Sequence, residues 1–198
     1  ILESLQYQEG RTELNAVGQY ALVDRLTDGF DKKNQSTIKA AGDDCAVIGT
    51  GDTKLLTTIQ TMAECVDFDM MYTPLKHLGY KAVAIALSNI AAMNGIARQI
   101  EVSLAVSNRY SLEALEELYA GIRICCERYD VDLVGGSIGS SRLGMVITVS
   151  AIGEVAEKNI TYRNGAHLHD LICVSGDLGS AYSGLLILER EKVTYQAN

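Results

Sequence analysis

The side chains best able to do chemistry gather in residues 42–69, GDDCAVIGTGDTKLLTTIQTMAECVDFD. Asp43 and Asp44 follow a glycine and precede a short apolar run, and Glu64, Asp67 and Asp69 close the stretch. Carboxylates held at strand ends beside small residues suit a hard cation such as Mg²⁺, which takes oxygen ligands and usually brings substrate phosphates with it. Adjacent aspartates after a glycine also make an ordinary solvated turn. The spacing alone leaves both readings open.

Other chemistries find less support. Cys45, Cys65, Cys125, Cys126 and Cys173 are odd in number, contain no CxxC spacing and sit in apolar or helical surroundings, so they read as reduced core residues. His77, His167 and His169 lack the cysteine partners of a zinc site, and the last two fall in a turn. The small-residue run at 135–141, GGSIGSS, matches neither GxGxxG nor a GxxxxGK[ST] loop, and no GxSxG elbow is present.

The elements that must position the acidic stretch follow from periodicity. Residues 45–48 and 55–61 are apolar or β-branched runs joined by Gly49-Thr50-Gly51-Asp52, which predicts a hairpin with carboxylates at both ends. Apolar spacing predicts helices over 17–26, 75–93 and 111–129. The second has Pro74 at its start and Asn94-Gly95 at its end, and the third is capped by Ser111 with Glu113 in its first turn. Leu112, Leu115, Leu118, Tyr119, Ile122, Cys125 and Tyr129 mark the core face of that third helix. Strands are expected at 100–106, 131–134 and 144–155, with 135–141 as a loop. After a polar segment at 156–170, an apolar strand at 171–174, a loop at 175–180 and a helix at 181–191 follow.

Mixed strands and helices without strict alternation predict an α+β fold, a mixed sheet with helices packed on one face. The expected organisation is an N-terminal arm at 1–16, a first domain at 17–160 and the beginning of a truncated second α+β domain at 161–198. The sheet should contain 57–61, 100–106 and 144–155.

Composition narrows the partners. The 198 residues are 47% hydrophobic and 21% charged, within the range of globular proteins. Lys and Arg number 17 against 25 Asp and Glu, a net charge of −8, which argues against nucleic acid as a partner. No apolar run reaches the length of a membrane-spanning helix and no signal-peptide pattern opens the chain, so a cytoplasmic, non-membrane protein is expected.

Resemblance carries the reading further. GDD-CAVI, then TT and the acidic EC-VDFD, LGYKAVAIALSNIAAMNG, ELYAGI, DLVGGS, and YRNGA with DLICVSGDLG occur in an order that resembles thiamine-monophosphate kinase, over residues 18–192. That family lies in the superfamily of aminoimidazole ribonucleotide synthetase and selenophosphate synthetase. The resemblance implies a first domain of the aminoimidazole ribonucleotide synthetase-like fold, a homodimer formed through the N-terminal sheet, and transfer of the γ-phosphoryl group of ATP to thiamine phosphate with Mg²⁺. It implies metal roles for Asp44, with Asp43 beside it, and for Thr58. It implies ATP contacts at Tyr119, Gly136, Ser137 and Arg163, and a substrate-side role at Asp67.

Three positions depart from the family's pattern, because its remaining metal-site aspartates fall on Gln60, Asn89 and Ser137. Removing three anionic ligands weakens the hold on a strongly hydrated dication. Two readings follow: a kinase whose metal leans on Asp43, Asp44, nucleotide oxygens and neutral donors, or an impaired homologue that serves as a nucleotide-binding or dimerising protein. In either, Gln60, Asn89 and Ser137 are expected to converge with Asp44.

Overall fold

Apolar residues recur at every second position in three long segments. One set of them, including Leu56, Met62, Ile100, Val102, Leu104, Ile147, Val149 and Ala151, is almost fully buried. In the computed structural model, which describes residues 16–196, these segments are neighbouring strands of one sheet. The strands are β1 (Thr37–Lys39), β2 (Ala46–Gly49), β3 (Thr53–Ala63), β4 (Ile96–Val106), β5 (Asp132–Ser140) and β6 (Val146–Ala156), in the order β1-β2-β3-β6-β4-β5. Neighbours are antiparallel except β4 and β5, which run parallel and are joined by a helix, as a parallel pair requires.

The helices are α1 (Gln19–Thr27), α2 (Leu75–Ala92), α3 (Leu112–Tyr129) and α4 (Ser180–Gln196). α2 lays Leu78, Val83, Ala86, Leu87 and Ile90 into the core that the sheet's inner face lines, and α3 adds Leu118, Ile122 and Cys125 to it. The two helices meet backbone to backbone. A Cβ on Gly79 would lie 2.0 Å from the carbonyl oxygen of Leu118, and one on Gly121 would lie 1.8 Å from that of Lys76. Ser111 caps α3 as expected, its hydroxyl accepting from the Ala114 amide at 3.3 Å. Leu112 and Tyr129, expected on the core face, are instead 68% and 49% exposed, because the stripe drifts off the core at both helix ends.

Several expectations change. The loop expected at 135–141 is strand: β5 continues through Ser140, with Gly136 opposite Val102 and Ser137 opposite Ser103. Small residues give a weak strand signal, yet β4 offers an open edge, and Gly136 at φ 150° lets the backbones approach. A Cβ there would sit 1.8 Å from the Val102 carbonyl oxygen. The strand expected at 171–174 is not formed; Leu171 and Ile172 are 90% and 97% exposed and find no partner edge among the described residues. β4 begins four residues earlier than the alternation suggested, across an irregularity between Ala97 and Gln99 that breaks the period. β1 carried no sequence signal, being three residues long. Apart from Ala16, the expected arm at 1–16 lies outside the described residues. No helix among the described residues is long and apolar enough to cross a membrane.

The other face of the sheet carries no helix of the α2–α3 pair. Ile59 stands 66% exposed near its middle. Residues paired across the strands share a face, so Thr61, Thr148, Ser103 and Ser137 form one row over β3, β6, β4 and β5.

Candidate functional site

The acidic loop ahead of β2 is held against the C-terminal end of α2. The Cys45 amide donates to Met93 Sδ at 3.2 Å, and Ala46 pairs with Thr57, which brings Asp43 and Asp44 beside the middle of β3. One turn back along α2, Asn89 Nδ2 donates to Thr58 Oγ1 at 3.0 Å. Gln60 lies two residues further along β3 and therefore shares the face of Thr58. Four expected positions, Asp43, Asp44, Thr58 and Asn89, are thus collected at one end of α2, with Gln60 on the adjoining strand.

A cation already sits there. The Arg163 guanidinium forms an ion pair with Asp44, and its backbone amide donates to Asp43 Oδ2 at 3.4 Å. The same guanidinium lies over the ring of Tyr20, 4.8 Å from its centroid. Asp43 Oδ1 accepts from the Asp44 amide at 2.9 Å. Burial first, then the charges of Asp44 and Asp43, push the Cys45 thiol up to about 12, so it stays protonated and apolar in character beside the carboxylates.

Ser137 is elsewhere. Its hydroxyl shares a hydrogen bond with Ser103 at 2.7 Å in the row on the open face, next to the 3.0 Å contact between Thr61 and Thr148. Since Gln60 and Thr61 are consecutive in a strand, Gln60 points to the helix side and Ser137 to the opposite side. Convergence of Ser137 with Gln60 and Asn89 is therefore corrected: one side of the sheet holds two of them and the other side the third. Gly136 contacts the β4 backbone, as described above. Tyr119 packs half-buried against the core from α3, and burial raises its phenol pKa.

Asp67 belongs to a third place. It lies in the turn after β3, where its Oδ2 accepts from the Ala63 amide at 2.8 Å and its carbonyl oxygen accepts from Lys81 Nζ at 2.9 Å. The turn, with Cys65 at φ 65°, borders an open cleft of about 1390 Å³ against α4, lined in part by Phe68, Tyr72, His77 and Tyr182. Asp69 pairs there with Lys192, whose hydrogen bond is the largest of the effects that lower the carboxyl pKa. Beneath the turn, Glu64 is clamped by Arg109, by the Tyr110 hydroxyl at 2.8 Å and by the Met145 amide at 2.8 Å. Burial raises the Glu64 pKa, but the bonds from Met145, Tyr110 and Arg109 together outweigh it and hold the group below its ordinary value.

The profile of the AIR synthase related protein, N-terminal domain, matches residues 42–155, more than half of the chain. The chain belongs to this family. Among curated relatives, the thiamine-monophosphate kinase of Bacillus subtilis (strain 168) is 33% identical over 174 residues, covering 83% of this chain and 54% of that protein. The thiamine-monophosphate kinase of Aquifex aeolicus (strain VF5) is 32% identical, covering 92% of this chain and 56% of its own length. Among solved structures, AaThiL complexed with AMPPCP and TMP superposes with a TM-score of 0.82 at 29% identity, over 92% of this chain and 56% of that one. The chain spans about half the length of the curated relatives it matches.

The donor set can be tested against the dication that the family resemblance implies. Among the described residues, no three His, Cys, Asp or Glu side chains come together as a metal-holding group. What is present is two adjacent carboxylates with a hydroxyl and two amides nearby, all of them oxygen donors. This fits Mg²⁺ in the form in which it usually binds, through one or two carboxylates with waters and substrate phosphates, rather than in an all-protein cage. Sequence reasoning missed Tyr20 and the Arg109–Tyr110 clamp. Tyr20 read only as a helix-face residue, and nothing local marks a ring that meets Arg163 from far along the chain.

Proposed function

We propose that this chain is the nucleotide- and metal-binding part of a thiamine-phosphate kinase, which transfers the γ-phosphoryl group of ATP to thiamine phosphate and yields thiamine diphosphate and ADP. The observation that carries the reading is the gathering of Asp43, Asp44, Thr58 and Asn89 at the end of α2 with Arg163 against them, in a chain so similar to AaThiL, a protein solved with AMPPCP and TMP. Arg163 offers a planar donor fork for a phosphate oxygen. Asp43 and Asp44 supply the carboxylates of a dication site, and Thr58, oriented by Asn89, supplies a neutral oxygen. A Mg²⁺ bound there would offset the charge of two anionic reactants and align them. Asp67 and the cleft between its turn and α4 are assigned to the phosphate acceptor, and Tyr119 and Gly136 to the nucleotide side; Ser137, on the open face with Ser103, is left out of that group. The exposed face of the sheet is assigned to a homodimer, since a sheet face bearing Ile59 in the open calls for a cover.

A second reading is favoured by specific residues. Gln60, Asn89 and Ser137 are neutral, and Asp44 is already satisfied by Arg163. In that reading the protein binds nucleotide without efficient transfer. The experiment is ATP- and Mg²⁺-dependent formation of thiamine diphosphate by the full-length protein. Turnover on the order of 1 to 10³ s⁻¹ supports the kinase; nucleotide binding without turnover supports the impaired homologue; neither binding nor turnover overturns both.

A further inference from the structure

Three of the four oxygens of the Asp43–Asp44 pair are engaged by donors within the chain: the Asp44 amide on Asp43 Oδ1, the Arg163 amide on Asp43 Oδ2, and the Arg163 guanidinium on Asp44 Oδ1. A dication arriving at this pair meets one unit of negative charge, not two, because the guanidinium has cancelled the other. The neutral side chains of Gln60 and Asn89 add none. Displacing the guanidinium into water costs its ion pair and its place over the Tyr20 ring. Both are modest, since Arg163 is 39% exposed and α1, which carries Tyr20, buries no residue. An anionic polyphosphate offers the guanidinium a better partner than solvent does.

We infer that Arg163 is a gate on the dication site: it holds the place of the metal at Asp44, seated on Tyr20, until a nucleotide's phosphates draw it away and leave both carboxylates for the cation. Arg163 is thus a positioning residue for the metal as well as a phosphate anchor, and Tyr20 positions Arg163. The gate rests on the reading of this place as a nucleotide and metal site. Its consequence is a coupling between two ligands: polyphosphate tightens the hold on Mg²⁺, and by linkage Mg²⁺ tightens the hold on polyphosphate. A chain without the guanidinium should behave oppositely in the two halves of that cycle, taking Mg²⁺ alone more readily and the nucleotide alone less readily.

The test is calorimetric titration of the 198-residue chain with Mg²⁺ alone, and separately with ADP in the presence of a chelator, for the parent, Arg163→Gln and Tyr20→Leu. The expected result for Arg163→Gln is Mg²⁺ affinity raised about fivefold or more and ADP affinity lowered by about the same factor. Tyr20→Leu, which keeps the guanidinium but removes its seat, should raise Mg²⁺ affinity about twofold. Equal Mg²⁺ affinity in Arg163→Gln and parent overturns the gate, as does unchanged ADP affinity. If Arg163→Gln does not fold by its thermal melt, parent-like Mg²⁺ binding in Tyr20→Leu overturns the gate by itself. A parent that binds no ADP with or without Mg²⁺ overturns the proposed function and the gate with it, whereas ADP binding with unaltered metal affinities overturns the gate alone.

Discussion

At the scale of single residues, Glu64 joins stability to the turn that carries Asp67. Its carboxylate accepts from Met145, Tyr110 and Arg109, so Glu64→Ala would strand a backbone amide and a phenol that are now paired. Each stranded group costs about 1–3 kcal/mol, and urea titration should show a loss of that order. The pH dependence has a definite sign. The folded pKa of Glu64 lies below its ordinary 4.5, so on acidification the unfolded chain takes up the proton first. The stabilisation is complete above the unfolded value and is lost as pH falls through the folded one. Glu64→Gln should therefore flatten the fall in stability below about pH 4.5, measured by urea titrations from pH 7 to pH 3. The proposed dication site makes a second residue-scale prediction. In Gln60→Asp, Asn89→Asp two carboxylates are added on the Thr58 face, and the Thr58 hydroxyl can turn to donate to Asp where it now accepts from Asn89. Mg²⁺ should then raise the melting temperature of the variant by more than that of the parent, whereas without metal the added like charges should lower it. Ser137→Asp, on the opposite face with Ser103, should add nothing to that metal response.

At the scale of elements, the contact between α2 and α3 is decided by two glycines. An alanine inside a helix ordinarily stabilises it by about 0.8–1 kcal/mol relative to glycine. At Gly79 and Gly121 the sign should reverse, because the new Cβ would fall 2.0 Å and 1.8 Å from carbonyl oxygens of the facing helix, and backbone cannot step aside as a flexible side chain can. Gly121→Ala should cost about 1–3 kcal/mol or more in chemical denaturation. A neutral or stabilising result would mean that the helices lie further apart than described. β5 obeys the same logic. Its Gly-Gly-Ser run is strand only because it can press against β4, with Gly136 at the closest point.

At the scale of the whole molecule, the sheet has, among the described residues, one face filled and one face open. The open face carries Ile59 at its centre and the hydroxyl row Thr61, Thr148, Ser103 and Ser137 across four strands. If a second copy covers it, sedimentation at micromolar concentration should give a dimer for the parent and a monomer for Ile59→Lys, which would bury an unpaired ammonium in the interface. A monomeric parent would remove the assignment of this face.

The sequence by itself determined most of what is periodic. The hairpin of β2 and β3, the extents of α2 and α3, and the helices-on-one-face architecture were all legible, because burial on one side of an element imposes a repeat of two or 3.6 residues on the chain. The chemistry was legible only as residue types: Asp43 and Asp44 as adjacent carboxylates suited to a dication or to a solvated turn, and Gln60, Asn89 and Ser137 as neutral residues where the resembled family carries aspartates. Only tertiary structure decided their grouping. Whether Ser137 stands with Gln60 depends on the strand register of β5 and β4, and a shift by one residue exchanges the two faces of a sheet; the loop expected at 135–141 carried no register at all. The partner of Asp44 was equally hidden. Arg163 reaches it from 119 residues further along the chain, Tyr20 meets the guanidinium from near the start of the described residues, and no local pattern encodes contacts of that span.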